Sequence, residues 1–131
     1  MEDRYLFKAK RVDDGEWIVG YLYRLSENNP PFIMLRKYGE SYEVDEHTIC
    51  QCTGLEDKNG NLIWENDIVK DKHGNFYKAF WQNNHYQFSW ICVKSDVFSI
   101  GVKWNLWSFK SFEIEILGNT FDNPELLESE E

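Results

Sequence analysis

Gln51-Cys-Thr-Gly-Leu-Glu-Asp-Lys-Asn-Gly-Asn-Leu-Ile-Trp-Glu-Asn-Asp-Ile-Val69 reads as a strand, a tight turn, a second strand, another turn and the start of a third strand. Asn59-Gly60 is the dipeptide that most readily takes positive φ at both central positions of a type I′ turn, whose twist suits two paired strands. Leu62, Ile63 and Trp64 are apolar and β-prone, whereas Glu56, Asp57 and Lys58 suit a solvated approach to the turn. Glu65-Asn66-Asp67 breaks the pattern again before Ile68-Val69. Turns this closely spaced predict a strongly curved sheet.

The rest of the chain repeats that texture. Tyr5 to Val12 and Glu16 to Tyr23 form a hairpin pattern around Asp14-Gly15, and Phe32 to Arg36 resumes apolar β character after the Asn- and Pro-rich Ser26 to Pro31. Tyr38-Gly39-Glu40 reads as a turn, and Tyr42 to Cys52 fits either a strand or a helical turn followed by a strand. Phe76 to Trp81 and Tyr86 to Val93 are strand-length runs bounded by His73-Gly74-Asn75 and Asn83-Asn84. Ser95 to Lys110 is less regular, and Trp104 and Trp107, three apart, fit a brief helical or wide-loop excursion. Phe112 to Gly118 alternates, with Glu113 and Glu115 on one face and Ile114 and Ile116 on the other. Asn123-Pro124-Glu125 reads as a cap opening a short C-terminal helical turn over Pro124 to Glu128. No internal repeat is read.

The fold class expected is mostly β, with strand spacing like that of small barrels and sandwiches and one candidate boundary near residues 50–54. Aromatic residues make up 17% of the chain, which excludes a disordered class. No apolar run reaches the ~18 residues that span a bilayer, and Met1-Glu-Asp-Arg-Tyr5 lacks the features of a secretory signal. A cytoplasmic protein with no membrane partner is therefore expected. Three cysteines fit reduced thiols; Cys50, Cys52 and His47 match zinc-ligand spacings poorly, so neither a metal nor another cofactor is expected.

The formal net charge of −9 is concentrated at the ends, with seven acids and no base in residues 113–131. Carboxylates repel phosphates, so a duplex nucleic acid is not an expected partner.

With its motifs in view, the chain resembles the YopX family, proteins encoded by bacteriophages and prophages. The resemblance rests on Gln51 to Val69 and on Glu115-Ile-Leu-Gly-Asn-Thr-Phe-Asp-Asn-Pro-Glu-Leu-Leu-Glu128, with fainter echoes at Lys8-Ala-Lys10 and Trp17-Ile-Val-Gly-Tyr21. It implies a small β-rich N-terminal lobe over 1–51, a C-terminal SH3-like barrel domain with an acidic tail over 52–131, self-association into a homo-oligomer and residence in a bacterial host's cytoplasm. It brings no catalytic residues with it. The family's Glu-Gly-Asp-Ile-Val turn is here Glu65-Asn66-Asp67-Ile68-Val69, and asparagine is the next most tolerant residue for positive φ.

No nucleophile elbow or phosphate loop is present, and His47, His73 and His85 are scattered, so an enzyme is not expected. Residues 76–112 hold twelve aromatics, more than a small barrel buries. Trp81, Tyr86, Trp90, Trp104 and Trp107 are the candidate ligand- or partner-binding residues, with Lys103 and Lys110 for a phosphate. The functional expectation is a non-enzymatic accessory protein that sequesters a nucleotide-type signal in counter-defence. The alternatives are a module that inhibits or redirects a host protein, or an oligomeric structural protein.

Overall fold

Short apolar runs punctuated by Gly, Asn and Asp become eleven strands among the residues described by the computed structural model, which are 5–35, 39–83 and 87–127, with only the backbone of Trp107 included. Tyr38, Asn84, His85, Tyr86 and the acidic Glu128 to Glu131 end fall outside the described residues. Everything is antiparallel, in two sheets, and helical structure is confined to single 3-10 turns among the described residues. The expected mostly β class is what the chain adopts. The chain divides into two compact units, Met1–Cys52 and Thr53–Glu131.

In the first unit, β1 (Phe7–Lys10) lies between β2 (Trp17–Tyr23) and the opening residues of β5 (Cys50–Glu56). From β2 the sheet continues through β3 (Phe32–Met34) to β4 (Ser41–Glu43). Ala9, Ile18, Ile33 and Val44 form its core. Gly20 has a steric reason to be glycine, since a Cβ there would collide with the Met34 carbonyl. The two readings left open over Tyr42 to Cys52 resolve into strand, turn and strand. A 3-10 turn, Glu46–Thr48, is capped by Asp45, whose carboxylate accepts the His47 N–H. Thr48 Oγ accepts the Lys10 N–H at 2.9 Å and donates to the Asp45 carbonyl at 2.7 Å, tying the turn to β1. Cys50 and Cys52 are buried, while His47 is exposed.

In the second unit, β5 continues beside β6 (Leu62–Trp64). The other sheet has the order β10-β9-β8-β7-β11, comprising β7 (Asp67–Lys70), β8 (Phe76–Gln82), β9 (Gln87–Lys94), β10 (Lys103–Asn105) and β11 (Glu115–Asn119), and it curls into half a barrel. Its concave face is filled by Ile63, Val69, Tyr77, Ala79, Trp90, Cys92 and Ile114.

The central hairpin differs from expectation. Gly60 has φ +83°, but Asn66 is the one non-glycine residue with positive φ among the described residues, so Asn59 does not form half of a type I′ turn. Instead Gly60 N–H donates to the Asp57 carbonyl at 3.0 Å and Asp57 N–H donates to the Asn61 carbonyl at 2.9 Å. That is a three-residue loop, a tight turn closed by a left-handed glycine. The buried Asp57 carboxylate selects it: Oδ1 accepts the Asn59 and Asn61 N–H groups, both at 3.0 Å. Asn66 itself, at φ +74°, fills the role expected for the family's glycine.

Asp71 builds the same loop. Asp71 N–H donates to the Asn75 carbonyl, Gly74 N–H donates to the Asp71 carbonyl, and Asp71 Oδ1 accepts the His73 and Asn75 N–H groups at 2.9 and 3.0 Å. Asp57-Lys-Asn-Gly-Asn61 and Asp71-Lys-His-Gly-Asn75 are therefore a repeated motif. This corrects the reading that the chain has no internal repeat.

Two further corrections concern the C-terminal half. Within Ser95 to Lys110 the brief helical excursion is a 3-10 turn, Leu106–Ser108, but the edge strand β10 that precedes it was not expected. The alternating segment begins as a 3-10 turn, Ser111–Glu113, and becomes strand only at Glu115, though Ile114 is buried as the alternation demands. The expected C-terminal turn is a 3-10 turn, Pro124–Leu127. Asn123, read as its cap, turns its side-chain oxygen back to the Asn119 N–H at 3.2 Å and occupies the space where Gly118 lacks a Cβ.

Candidate functional site

Strand β8 sends Tyr77 and Ala79 inward, and β9 sends Trp90 and Cys92 inward beside them. Trp104 stands directly opposite Trp90 in the register of β10 and β9, but on the edge strand it is only half-buried. Where this row reaches the end of the half-barrel, a hollow of about 390 Å³ opens. Tyr77, Phe98, Trp104 and Phe109 supply its aromatic wall. The Tyr77 and Trp104 centroids are 5.3 Å apart with rings nearly perpendicular, Phe98 and Trp104 are 5.0 Å apart at 70°, and Tyr77 and Phe109 are 4.8 Å apart. Such edge-to-face arrangements are favoured by the ring quadrupoles and hold the walls in place.

The polar end of the hollow comes from the second of the paired loops. Asp71 Oδ2 accepts the Tyr77 hydroxyl at 2.9 Å and the Asn75 side-chain amide at 3.0 Å. Asn75 is buried, and its side-chain Oδ1 accepts from Ser95 Oγ at 2.6 Å. Ser95 Oγ in turn accepts the Val97 and Phe98 N–H groups at 2.9 and 2.8 Å, which places Phe98 on the rim. One chain of hydrogen bonds thus links floor, carboxylate and rim.

These contacts set the protonation states. Burial alone would push the Asp71 carboxyl up, but hydrogen bonds from the Asn75 side chain and backbone, the Tyr77 hydroxyl and the His73 backbone outweigh it and hold the group below its ordinary value. The Tyr77 phenol is pushed well above its ordinary value by burial, by its hydrogen bond to Asp71 and by that carboxylate's charge. Burial also raises the Cys92 thiol. The site therefore holds a fixed carboxylate and a reluctant phenol.

Trp104 also borders a second, polar hollow of about 310 Å³, shared with Gln82, Gln87, Lys103, Asn105 and Ser108. Gln87 is held there by a 2.8 Å hydrogen bond to Asn105 Oδ1.

The candidate residues named from the sequence are only partly gathered. Trp104 lies at the hollow and Lys103 in its neighbour, while Lys110 is exposed and lines neither. Trp90 is fully buried, with its indole N–H on the Leu106 carbonyl at 3.2 Å, so it is core and meets no ligand. Trp81 is 39% exposed against Phe88, its cross-strand partner, and lies outside both hollows. Tyr86 is outside the described residues, and Trp107 is placed by its backbone alone, in the 3-10 turn after β10. Asp71, Asn75 and Ser95 were missed, although the repeated Asp-Lys-x-Gly-Asn motif marks the first two.

The first unit has a larger hollow, about 690 Å³, bordered by Arg11, Arg24 and acidic residues. Its charges answer one another: Arg11 forks onto Asp13 at 2.7 and 3.0 Å, and Arg24 meets Glu46 at 3.7 Å. No Phe, Tyr or Trp lines it among the described residues.

The family model described as YopX protein matches residues 7–128. The chain belongs to the YopX family. The match takes in both units and both hollows, so the half-barrel and the paired loops lie within the YopX domain. No curated protein matches the sequence significantly. None of the described helices of this YopX protein is long and apolar enough to cross a membrane.

Proposed function

We propose that this YopX protein acts by binding, and that it holds a nucleotide-type ligand with the base in the aromatic hollow and the phosphates towards Lys103. The observation that carries this reading is the position of Trp104, which borders both the aromatic hollow and the polar one containing Lys103. Aromatic faces stack on nucleobases at ~1–3 kcal/mol per base, and a lysine offers a point charge to a phosphate. Lys110 takes no part. Sequestration of a signal molecule in the cytoplasm of a bacterial host, to the benefit of a phage or prophage, is the role such binding would serve.

Isothermal titration with cyclic di- and trinucleotides and with ADP-ribose derivatives tests it. Binding by one of them that is lost in Trp104→Ala supports the reading. Heat-silent titrations across the whole set, at ligand concentrations of about 1 mM, contradict it.

A second reading is favoured by a different surface. Val97 and Ile100, between β9 and β10, are 78% and 62% exposed, and Phe112, in the 3-10 turn before β11, is 72% exposed. Self-association or docking on a host protein would cover these side chains. Light scattering coupled to size exclusion decides the first option: an oligomer that dissociates in Val97→Glu/Ile100→Glu supports it, and a monomer removes it.

A further inference from the structure

The aromatic hollow has an unusual charge. Asp71 is the one carboxylate among the described residues that line it, together with Tyr77, Phe98, Trp104 and Phe109; His73 lines it too, and no lysine or arginine does among the described residues. No cation pairs with Asp71 among the described residues either. A ring that turns its negative face to the hollow would attract the same kind of guest as the carboxylate.

The hydrogen bonds narrow the chemistry. A carboxylate has about four acceptor sites. All four on Asp71 are taken: Oδ1 by the His73 and Asn75 N–H groups, Oδ2 by the Asn75 amide and the Tyr77 hydroxyl. The donors are neutral, so they fix the charge without cancelling it. A cation whose charged nitrogen carries N–H donors finds no free lone pair on Asp71, and would lose that hydration without replacement. A guest whose positive charge sits on a fully alkylated nitrogen makes no such demand.

We propose that the hollow is a site for an N-alkylated organic cation, a group with permanent positive charge and no N–H donor. This rests on the binding reading above and names the chemistry of the group that enters. Two sources share that chemistry: an N-alkylated heteroaromatic ring, such as the base of a pyridinium nucleotide, and a quaternary ammonium head group. In both, an attached phosphate would reach outward to Lys103, so negative hollow and positive neighbour together suit a zwitterion.

Matched pairs that differ only in charge test this on the full chain. The pairs are 1-methylnicotinamide against nicotinamide, and choline against 3,3-dimethylbutan-1-ol, with tryptophan fluorescence and isothermal titration as readouts. The charged member of at least one pair binds about tenfold tighter or more, and which pair responds separates the two sources. Asp71→Asn, checked for native circular dichroism, reduces the preference to under about threefold. Equal affinity within both pairs overturns the inference while leaving the hollow a binding site. Silence from all four probes at about 10 mM also overturns it, and the nucleotide titrations then decide the broader reading by themselves. The charge preference is measured on the unmutated protein, so a variant that fails to fold does not remove the test.

Discussion

The Asp57 carboxylate accepts the backbone N–H of Ile116 at 2.9 Å, joining the central hairpin to the last strand across 59 residues of sequence. The same side chain closes its own loop through the Asn59 and Asn61 N–H groups. One buried carboxylate therefore connects the two segments that carry the family resemblance, and Lys58 N–H reinforces the junction on the Ile114 carbonyl at 2.9 Å. Asp57→Ala leaves three backbone donors without a partner, at ~1–3 kcal/mol for each that water cannot reach. A loss of about 3 kcal/mol in urea unfolding is expected, with Asp57→Asn costing roughly half as much because one oxygen remains. A change under about 0.5 kcal/mol would mean the loop is held by other contacts.

Asp71 occupies the equivalent place in the second loop, but its remaining acceptor capacity goes to Asn75 and Tyr77 instead of to a distant strand. Its folded pKa is depressed, so its contribution to stability is present above the ordinary carboxylate value and is lost as pH falls through the lower folded value. The stability difference between the unmutated protein and Asp71→Asn should be constant near neutrality and shrink below about pH 4. A difference that stays unchanged into acid would contradict the ionised network.

Tyr77 has the opposite sign. Its folded pKa is raised, so its contribution is complete below the unfolded value of about 10 and declines as pH rises from there through the folded value. Absorbance titration at the tyrosinate band should show one slow phenol that ionises only with alkaline unfolding, and Tyr77→Phe should remove it. Free ionisation of every tyrosine near the ordinary value would place Tyr77 in solvent.

Trp90 and Trp104 face each other across β9 and β10 with different duties. Trp90→Ala removes a fully buried indole and should cost ~3–5 kcal/mol. Trp104→Ala, at a half-buried edge position, should cost about 1–2 kcal/mol and abolish ligand response. Equal destabilisation by both, measured by thermal or urea unfolding, would make Trp104 a core residue.

How much of this was legible depends on the distance over which each signal acts. The strands around Asn59-Gly60 and at Phe76 could be read because alternation and turn chemistry are local. The turn type at Asn59 could not, since it is decided by a carboxylate whose second oxygen answers Ile116. Aromatic density marked the segment that supplies most of the hollow's rings, yet which rings line it depends on registry: Trp90 falls opposite Ala79 inside the sheet, whereas Trp104 falls on its edge. Gly118 and Asn123 lie between these extremes. They read as strand and cap, but they exclude each other's volume, so Gly118→Ala should be destabilising by about 1–2 kcal/mol and markedly less so when Asn123 is already alanine.

The most direct test of the account is nitrogen-edited NMR of the protein titrated with the bound member of the nucleotide or cation panel. The account predicts that the largest shifts fall on the Trp104 indole N–H and on the Phe98 and His73 amides, with the buried Trp90 indole little changed. Binding that instead shifts the amides of Arg11, Arg24 and His47, or leaves the Trp104 indole unmoved, would contradict it.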